Sequence, residues 1–432
     1  MTTSSGPRSR DPFPPADRDS RTTAAPRRSV IRKAVAAAVA AAVVAGAFAG
    51  AAVADDPGVS ATAVLIGGTA PLSGEAAAFG AVAPGAKAYF DWVNTRGGVN
   101  GRTIEYRYYD DAYNPALTVQ HTRRLVEEDH VLAIFNAVGT THNLAIREYL
   151  TSNGVPQLFS ADGSEALSAS PGRYPWTIGF LAPYRGEGAT YGRDLVATAP
   201  RAKVAVLLEN SELGRDMERG LARAIAGRGP KVVASESYEF TAADVFSQVA
   251  KLRASGADTL MLLATPKFVI QAIMVAHKLG WKPRLYIASV SIEPGIMAIA
   301  RTNAPELTNG ARSIAFLKNP NDPVWAKDPV VALYRSILAA HAPAARPTDV
   351  YNWYGMTVAW TMIETLRLAG RELTRASLIK AARSLDTTKN PFLLPGIRIR
   401  TGPSDSRALD TLYLYRYDNK EWVKASGLLP AR

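Results

Sequence analysis

The chain has no cysteine in its 432 residues. That excludes disulfides, a thiol nucleophile and lipid attachment through a cysteine, so stability has to come from a hydrophobic core. Histidine is sparse too. His121, His130, His142, His277 and His341 stand singly, with no metal-ligand spacing. Gly-x-Ser-x-Gly, a phosphate loop and His-Glu-x-x-His are all missing, which leaves an enzyme without a recognisable constellation. No arginine cluster is present, so the formal charge of +12 is weak ground for nucleic-acid binding. Long apolar runs are missing after the first 60 residues, which argues for a soluble mature protein.

What is present is the composition of a soluble globular protein: 47% hydrophobic and 20% charged residues, at a length that calls for two or three domains. The first 60 residues differ from the rest. Residues 1–25 are rich in Ser, Thr, Pro, Arg and Asp, without apolar periodicity. Arg27-Arg28-Ser-Val-Ile-Arg32-Lys33 follows, then an uncharged Ala/Gly-rich run from Ala34 to Val53, and Ala52-Val-Ala54 before Asp55. Basic region, apolar core and small-x-small site are the parts of an export signal, here resembling the twin-arginine type over residues 1–54, with Val30-Ile31 in place of the usual Phe-Leu. The alternative is an uncleaved membrane anchor, since the uncharged run from Ala34 to Val53 is long enough to span a bilayer. Export places the protein in the periplasm or at the extracytoplasmic cell surface. Removing that segment takes eight basic and three acidic residues with it and leaves a charge of +7, mildly favourable to an anionic ligand.

The chain is organised around Val64 to Glu75. Ala63 to Ile66 read as a short buried strand, Gly67 and Gly68 break the run, and Pro71, Ser73 and Gly74 supply turn chemistry before a helix over 76–94. A strand that ends in such a turn and opens into a helix gathers backbone N–H groups in one crevice. The unit recurs. Strands are expected at 103–109, 131–135 and 155–159, with helices from Asn114-Pro115 to about 129 and from about 141 to 152. A second set follows, with helices at 184–197, 215–227, 246–255 and 268–279 between strands at 204–208, 231–235, 259–263 and 284–288. Two doubly wound α/β halves in tandem result, with ligands expected beyond the carboxyl ends of the strands. Beyond them, a strand is expected at 313–317, helices at 329–340, 350–368 and 375–383, and a terminal strand pair at 397–400 and 411–417.

The order of motifs resembles the type I periplasmic solute-binding proteins of leucine/isoleucine/valine importers. The residues that carry it are Pro71-Leu-Ser-Gly74 with Phe79-Gly80, Gly97 to Gly101, Tyr109 to Pro115, Val155 to Phe159, Asp244 to Leu252 with Ser255 to Asp258, and Asp418 to Trp422. The resemblance implies two Rossmann-like lobes that close on a ligand through a three-crossover hinge near Ile178–Ala182, Glu306–Ala311 and Leu393–Ile397. Lobe 1 would hold residues 60–178 and 312–393, and lobe 2 residues 181–308 and 396–432. It also implies a monomer without cofactor or catalysis that delivers a small carboxylate to ABC permease subunits. A ligand sensor on the same fold, signalling to a membrane kinase, is the alternative.

By position, the resemblance assigns ligand contacts to Phe79, to Gly139-Thr140-Thr141, to Ala161 through Gly163 and Ser164, and to Tyr184. Gly139 and Gly163 stand where a hydroxyl residue is usual, which leaves Thr140 and Ser164 to hold a carboxylate. Thr265 and Val290 stand where amino-acid binders carry an aromatic residue and a glutamate for the ammonium group. An unpaired buried ammonium costs several kcal/mol. That departure resembles the branch that takes aromatic or other small carboxylates, which also shares Asn143 to Ile146, Pro156 to Phe159, Pro175-Trp-Thr177 and Ala264 to Phe268. Lys267 reads as a helix-start charge, and Tyr351-Asn-Trp-Tyr354 as a buried helix face.

Overall fold

The computed structural model describes residues 56–431, so the export-signal segment lies outside the described residues. Five strands form the first sheet: β1 (Ala63–Ala70), β2 (Thr103–Asp110), β3 (Ile134–Phe135), β4 (Gln157–Ser160) and β5 (Thr177–Gly179), in the order β2-β1-β3-β4-β5. All are parallel, and β1 runs beside β2 from Ala63 opposite Thr103 to Ala70 opposite Asp110. Helices α1 (Val82–Asn94), α2 (Pro115–Glu127), α3 (Thr140–Ser152) and the single turn α4 (Glu165–Ser168) connect them. Asn114 caps α2 through the Ala116 N–H, with Pro115 at the first helical position, as the sequence foretold. The helix expected from 76 starts instead at Val82, because residues 77–81 wind as a 3₁₀ turn that carries Phe79 inward.

The second sheet contains β6 (Lys203–Glu209), β7 (Lys231–Tyr238), β8 (Thr259–Leu263), β9 (Arg284–Ile287) and β10 (Arg312–Ala315) as a parallel set, with helices α5 (Tyr184–Thr198), α6 (Glu212–Ile225), α7 (Phe246–Ala254), α8 (Pro266–Lys278), α9 (Pro294–Asn303) and α10 (Pro305–Thr308). Helix α6 starts three residues before the expected Arg215 because Ser211 caps it. The chain then forms α11 (Pro329–His341), α12 (Val350–Ala369) and α13 (Arg375–Ala382), followed by β11 (Asp386–Thr387), β12 (Ile399–Arg400), β13 (Thr411–Tyr417), β14 (Trp422–Lys424) and β15 (Leu429–Pro430).

Two expectations about the C-terminal part are corrected. Strand β10 pairs with β9 and β13, so residues 312–315 belong to the second sheet and the chain crosses back only at 316–318. There it pairs with the third crossover, through Lys318 N–H to the Phe392 carbonyl (3.0 Å) and Leu394 N–H to the Phe316 carbonyl (2.9 Å). The expected terminal pair does not form either. Strand β12 pairs with β11, while β13 adds antiparallel to β10 and takes β14 and β15 as partners. Alternation of apolar residues marks a strand but not its neighbour, so sequence pattern alone could not choose.

In each sheet the strand order reverses once, at β1 in the first and at β6 in the second. The crevices at those reversals are where loops from neighbouring strands diverge and leave room for a ligand.

Candidate functional site

A cavity of about 160 Å³ lies where the carboxyl ends of the two sheets meet. The first sheet supplies Phe79 from beyond β1, Tyr113 beyond β2, Gly139 and Thr140 beyond β3, and Ala161 beyond β4. The second supplies Leu213 beyond β6, Thr265 beyond β8, and Ser289, Val290 and Glu293 beyond β9. Tyr184 at the first crossover, Phe316 and Lys318 at the second, and Tyr351 and Tyr354 on α12 complete most of the wall. Of the residues expected to contact ligand, Phe79, Gly139, Thr140, Ala161, Tyr184, Thr265 and Val290 are brought together on this wall. Thr141, Gly163 and Ser164 are not. Thr141 is exposed, and Ser164 is buried behind the turn, where it caps α4 through the Leu167 N–H.

Both hydroxyls expected to hold a carboxylate are engaged inside the protein. Thr140 donates to Asp162 Oδ1 (3.1 Å), and Ser164 donates through its hydroxyl to Oδ2 (3.0 Å) and through its backbone N–H to Oδ1 (2.8 Å). Asp162 is fully buried. Burial pushes its carboxyl up to about 6, against the opposing pull of these three donors. The two departures from hydroxyl residues follow from packing. Gly139 has φ +109°, and a Cβ there would lie 2.4 Å from His142 Nδ1. A Cβ on Gly163 would lie 2.3 Å from the Ala182 carbonyl and 3.1 Å from the Tyr184 ring. His142 and Tyr184 therefore fill the space that small hydroxyl residues would need.

The turn before Gly139 is fixed from behind. Asn143 on α3 donates to the carbonyls of Ala137 and Gly139, both at 2.8 Å. Gln157 on β4 donates to the Asn143 carbonyl and Oδ1, each at 3.0 Å, and accepts from Thr177 on β5 at 3.0 Å. Asn143, Gln157 and Thr177 are all buried. Their place here is structural, as a ladder under the site.

Across the cavity, Glu187 on α5 does comparable work. It accepts from the Ser289 N–H (2.7 Å), the Ser289 hydroxyl (2.8 Å) and the Tyr191 hydroxyl (2.6 Å). Thr265 shares a hydrogen bond with the Tyr238 hydroxyl (3.2 Å). Glu293 lines the wall while capping α9 through the Ile296 N–H (3.0 Å). Lys267, read as a helix-start charge, bridges instead to Glu75 (2.5 Å) on the turn beyond β1. Tyr351 donates to the Val290 carbonyl (2.8 Å), a second tie between the two halves.

Sequence reasoning missed much of the aromatic wall. Tyr113 reaches it from a backbone in the left-handed region, φ 57° after Ala112 at φ 48°, a costly conformation held by Asp110 and Asp111, which accept from the two N–H groups (2.9 and 3.0 Å). Its ring packs 4.3 Å from the buried His142, whose burial favours the neutral form. Tyr351 and Tyr354 were visible as an i, i+3 pair, the spacing that places two side chains on one helix face, whereas Trp353 between them turns into the core.

Comparison with known proteins agrees with this geometry. The model of the periplasmic binding protein family matches residues 63–421. The chain belongs to that family. A periplasmic binding protein is not an enzyme, and membership implies export. Among the described residues no helix is long and apolar enough to cross a membrane, and no group of His, Asp or Glu could hold a metal. Relatives include an amino acid binding protein of Pseudomonas aeruginosa, 26% identical over 46% of this chain and 52% of its own length. A Leu/Ile/Val-binding protein homolog 3 of Brucella melitensis is 28% identical over 46% of this chain and 53% of its own. The chain thus spans about half the length of these curated relatives. Similar solved structures include a fatty acid ABC transporter substrate-binding protein from Thermomonospora curvata (TM-score 0.71, 21% identity, 87% of this chain and 94% of that one). A branched-chain amino acid ABC transporter protein from Thermus thermophilus with bound valine also matches (TM-score 0.74, 17% identity, 85% and 96%). At these identities the likeness is one of fold, the two-lobed type I architecture.

Proposed function

We propose that this periplasmic binding protein is the exported substrate receptor of an ABC importer, a monomer that delivers a small ligand to permease subunits in the membrane. The lobes would comprise residues 60–178 with 319–391, and 181–315 with 395–432, the second crossover having moved from its expected place. Hinge closure would bring the two sheets' strand ends together over the ligand. The observation that carries this reading is the aromatic cavity at that meeting point, spanned by Lys267–Glu75 and Tyr351–Val290.

The ligand has an aromatic or otherwise apolar body and is not an α-amino acid. The wall offers Phe79, Tyr113, Tyr184, Tyr351 and Phe316 to such a body, while on the side of the second sheet, where amino-acid binders are expected to hold the ammonium group, Thr265 and Val290 provide no carboxylate and Glu293 is committed to its helix. A thermal-shift screen of the exported protein against leucine, isoleucine and valine and against benzyl and cinnamyl compounds tests this. A ligand at about 100 times its Kd adds about 2.7 kcal/mol. Aromatic compounds should raise the melting temperature and leucine should not. A shift with leucine alone would show that another group holds the ammonium.

A further inference from the structure

The polar end of the ligand is decided at one corner of the cavity, where α3 begins, the turn beyond β4 passes and Tyr184 closes the side. Thr140 and Tyr184 face the cavity there, and Asp162 lies directly behind Thr140. Its two oxygens take the Thr140 and Ser164 hydroxyls and the Ser164 N–H, so the corner already contains a carboxylate with its donors in place. No uncompensated cation on the wall offsets it. Lys318 is bound to Asp328 (2.7 Å) and lies over the Trp325 ring, and the other charged residues of the wall are Glu293 and Asp322. A second carboxylate brought to this corner would meet like charge in a desolvated setting and would find the Thr140 and Ser164 hydroxyls occupied.

We propose that Asp162 is the specificity-determining residue of the cavity, and that it turns the site from carboxylates toward ligands whose head group is an uncharged amide or alcohol or a positively charged amine. This rests on reading the cavity as the ligand site. Of the groups that face Asp162, Thr140 comes from α3, Ser164 from its own turn, Tyr184 from α5, Tyr354 from α12 and Tyr113 from the turn beyond β2. The charged ones are Arg147 on α3 and Asp216 on α6, the latter held by Arg185 (3.5 Å) and Arg219 (3.1 Å).

The test is titration calorimetry of the exported protein with matched triads: phenylacetate, phenylacetamide and phenethylamine, then hexanoate, hexanamide and hexylamine. At about pH 8, where Asp162 is ionised, the acid of a triad should bind at least roughly tenfold more weakly than its amide or amine. Asp162→Asn should bring acid and amide to within about threefold of each other. An acid that binds the wild type more tightly than its amide overturns the inference and leaves the small-ligand reading standing. No binding by any member of either triad overturns both. A ratio unchanged in a folded Asp162→Asn protein removes the role from Asp162. Should that variant not fold, the wild type at about pH 5 serves, because Asp162 gains its proton near 6 while an ordinary carboxylic acid, with a pKa of about 4.3, stays ionised. The acid's handicap should then shrink, and a handicap equal at both pH values counts against the proposal.

Discussion

Each wall of the cavity is pinned by a buried carboxylate, and the two carboxylates act differently. Glu187 ties α5 to the turn beyond β9, taking the N–H and the hydroxyl of the half-buried Ser289, while the Tyr191 hydroxyl that it also takes bonds the Ile287 carbonyl as well (2.8 Å). Asp162 takes the Thr140 hydroxyl and both donors of Ser164 in its own turn, and Tyr184 faces it. Thr140 and Ser289 both stand on the wall, so each acid holds one wall hydroxyl. Glu187 joins two elements of the fold, whereas Asp162, in the proposal above, also shapes what its corner accepts.

Removing each acid should expose that contrast. The largest effect is expected from Glu187→Ala, which removes a fully buried carboxylate and with it the acceptor of the Ser289 N–H, the Ser289 hydroxyl and the Tyr191 hydroxyl, and should lower unfolding free energy by about 3 to 4 kcal/mol. Urea unfolding reads this out, with Glu187→Gln losing less because it keeps the shape and one acceptor. A scaffold role also predicts no change in the acid-to-amide preference, so a shift in that preference would erase the distinction between the walls.

Asp162→Asn should act through pH. The folded-state carboxyl titrates near 6, above its ordinary 3.8, so the folded protein binds the proton more tightly than the unfolded chain. That contribution is complete below about pH 4 and is lost as pH rises through 6, because stability falls with pH wherever the folded state holds more protons. Relative to Asp162→Asn, the wild type should therefore lose about 3 kcal/mol between roughly pH 4 and pH 8. A stability difference that stays flat over this range would mean the donors fully offset burial. The smallest effect belongs to the tie between the walls. Lys267 and Glu75 are partly exposed, so Lys267→Ala should cost less than about 1 kcal/mol of stability. Its mark should be faster ligand release in stopped-flow, and an unchanged release rate would show that the pair does not hold the cleft.

The fold was largely legible because its signals are local. Glycine and proline breaks, the Asn114 cap and short apolar runs define strands and helices within windows of a few residues. Sheet membership of Arg312–Ala315 was not legible, since the choice of neighbour depends on backbone pairing with β9 and β13, the latter about 100 residues away. The site divided in the same way. Strand-end residues such as Thr140 and Thr265 were found from position, but the occupation of Thr140 by Asp162 spans two loops and needs the fold to appear. Tyr113 was hidden because nothing in Asp110-Asp-Ala-Tyr113 announces two consecutive left-handed residues.

The bridges from Tyr351 to Val290 and from Lys267 to Glu75 also bear on timing. If the two halves part to release a bound molecule, as proposed, these two contacts must break whatever the molecule is. They would set a common floor under the residence time of every ligand. Each ligand's own contacts with the two walls would add to that floor, so differences in affinity would be felt mostly in departure.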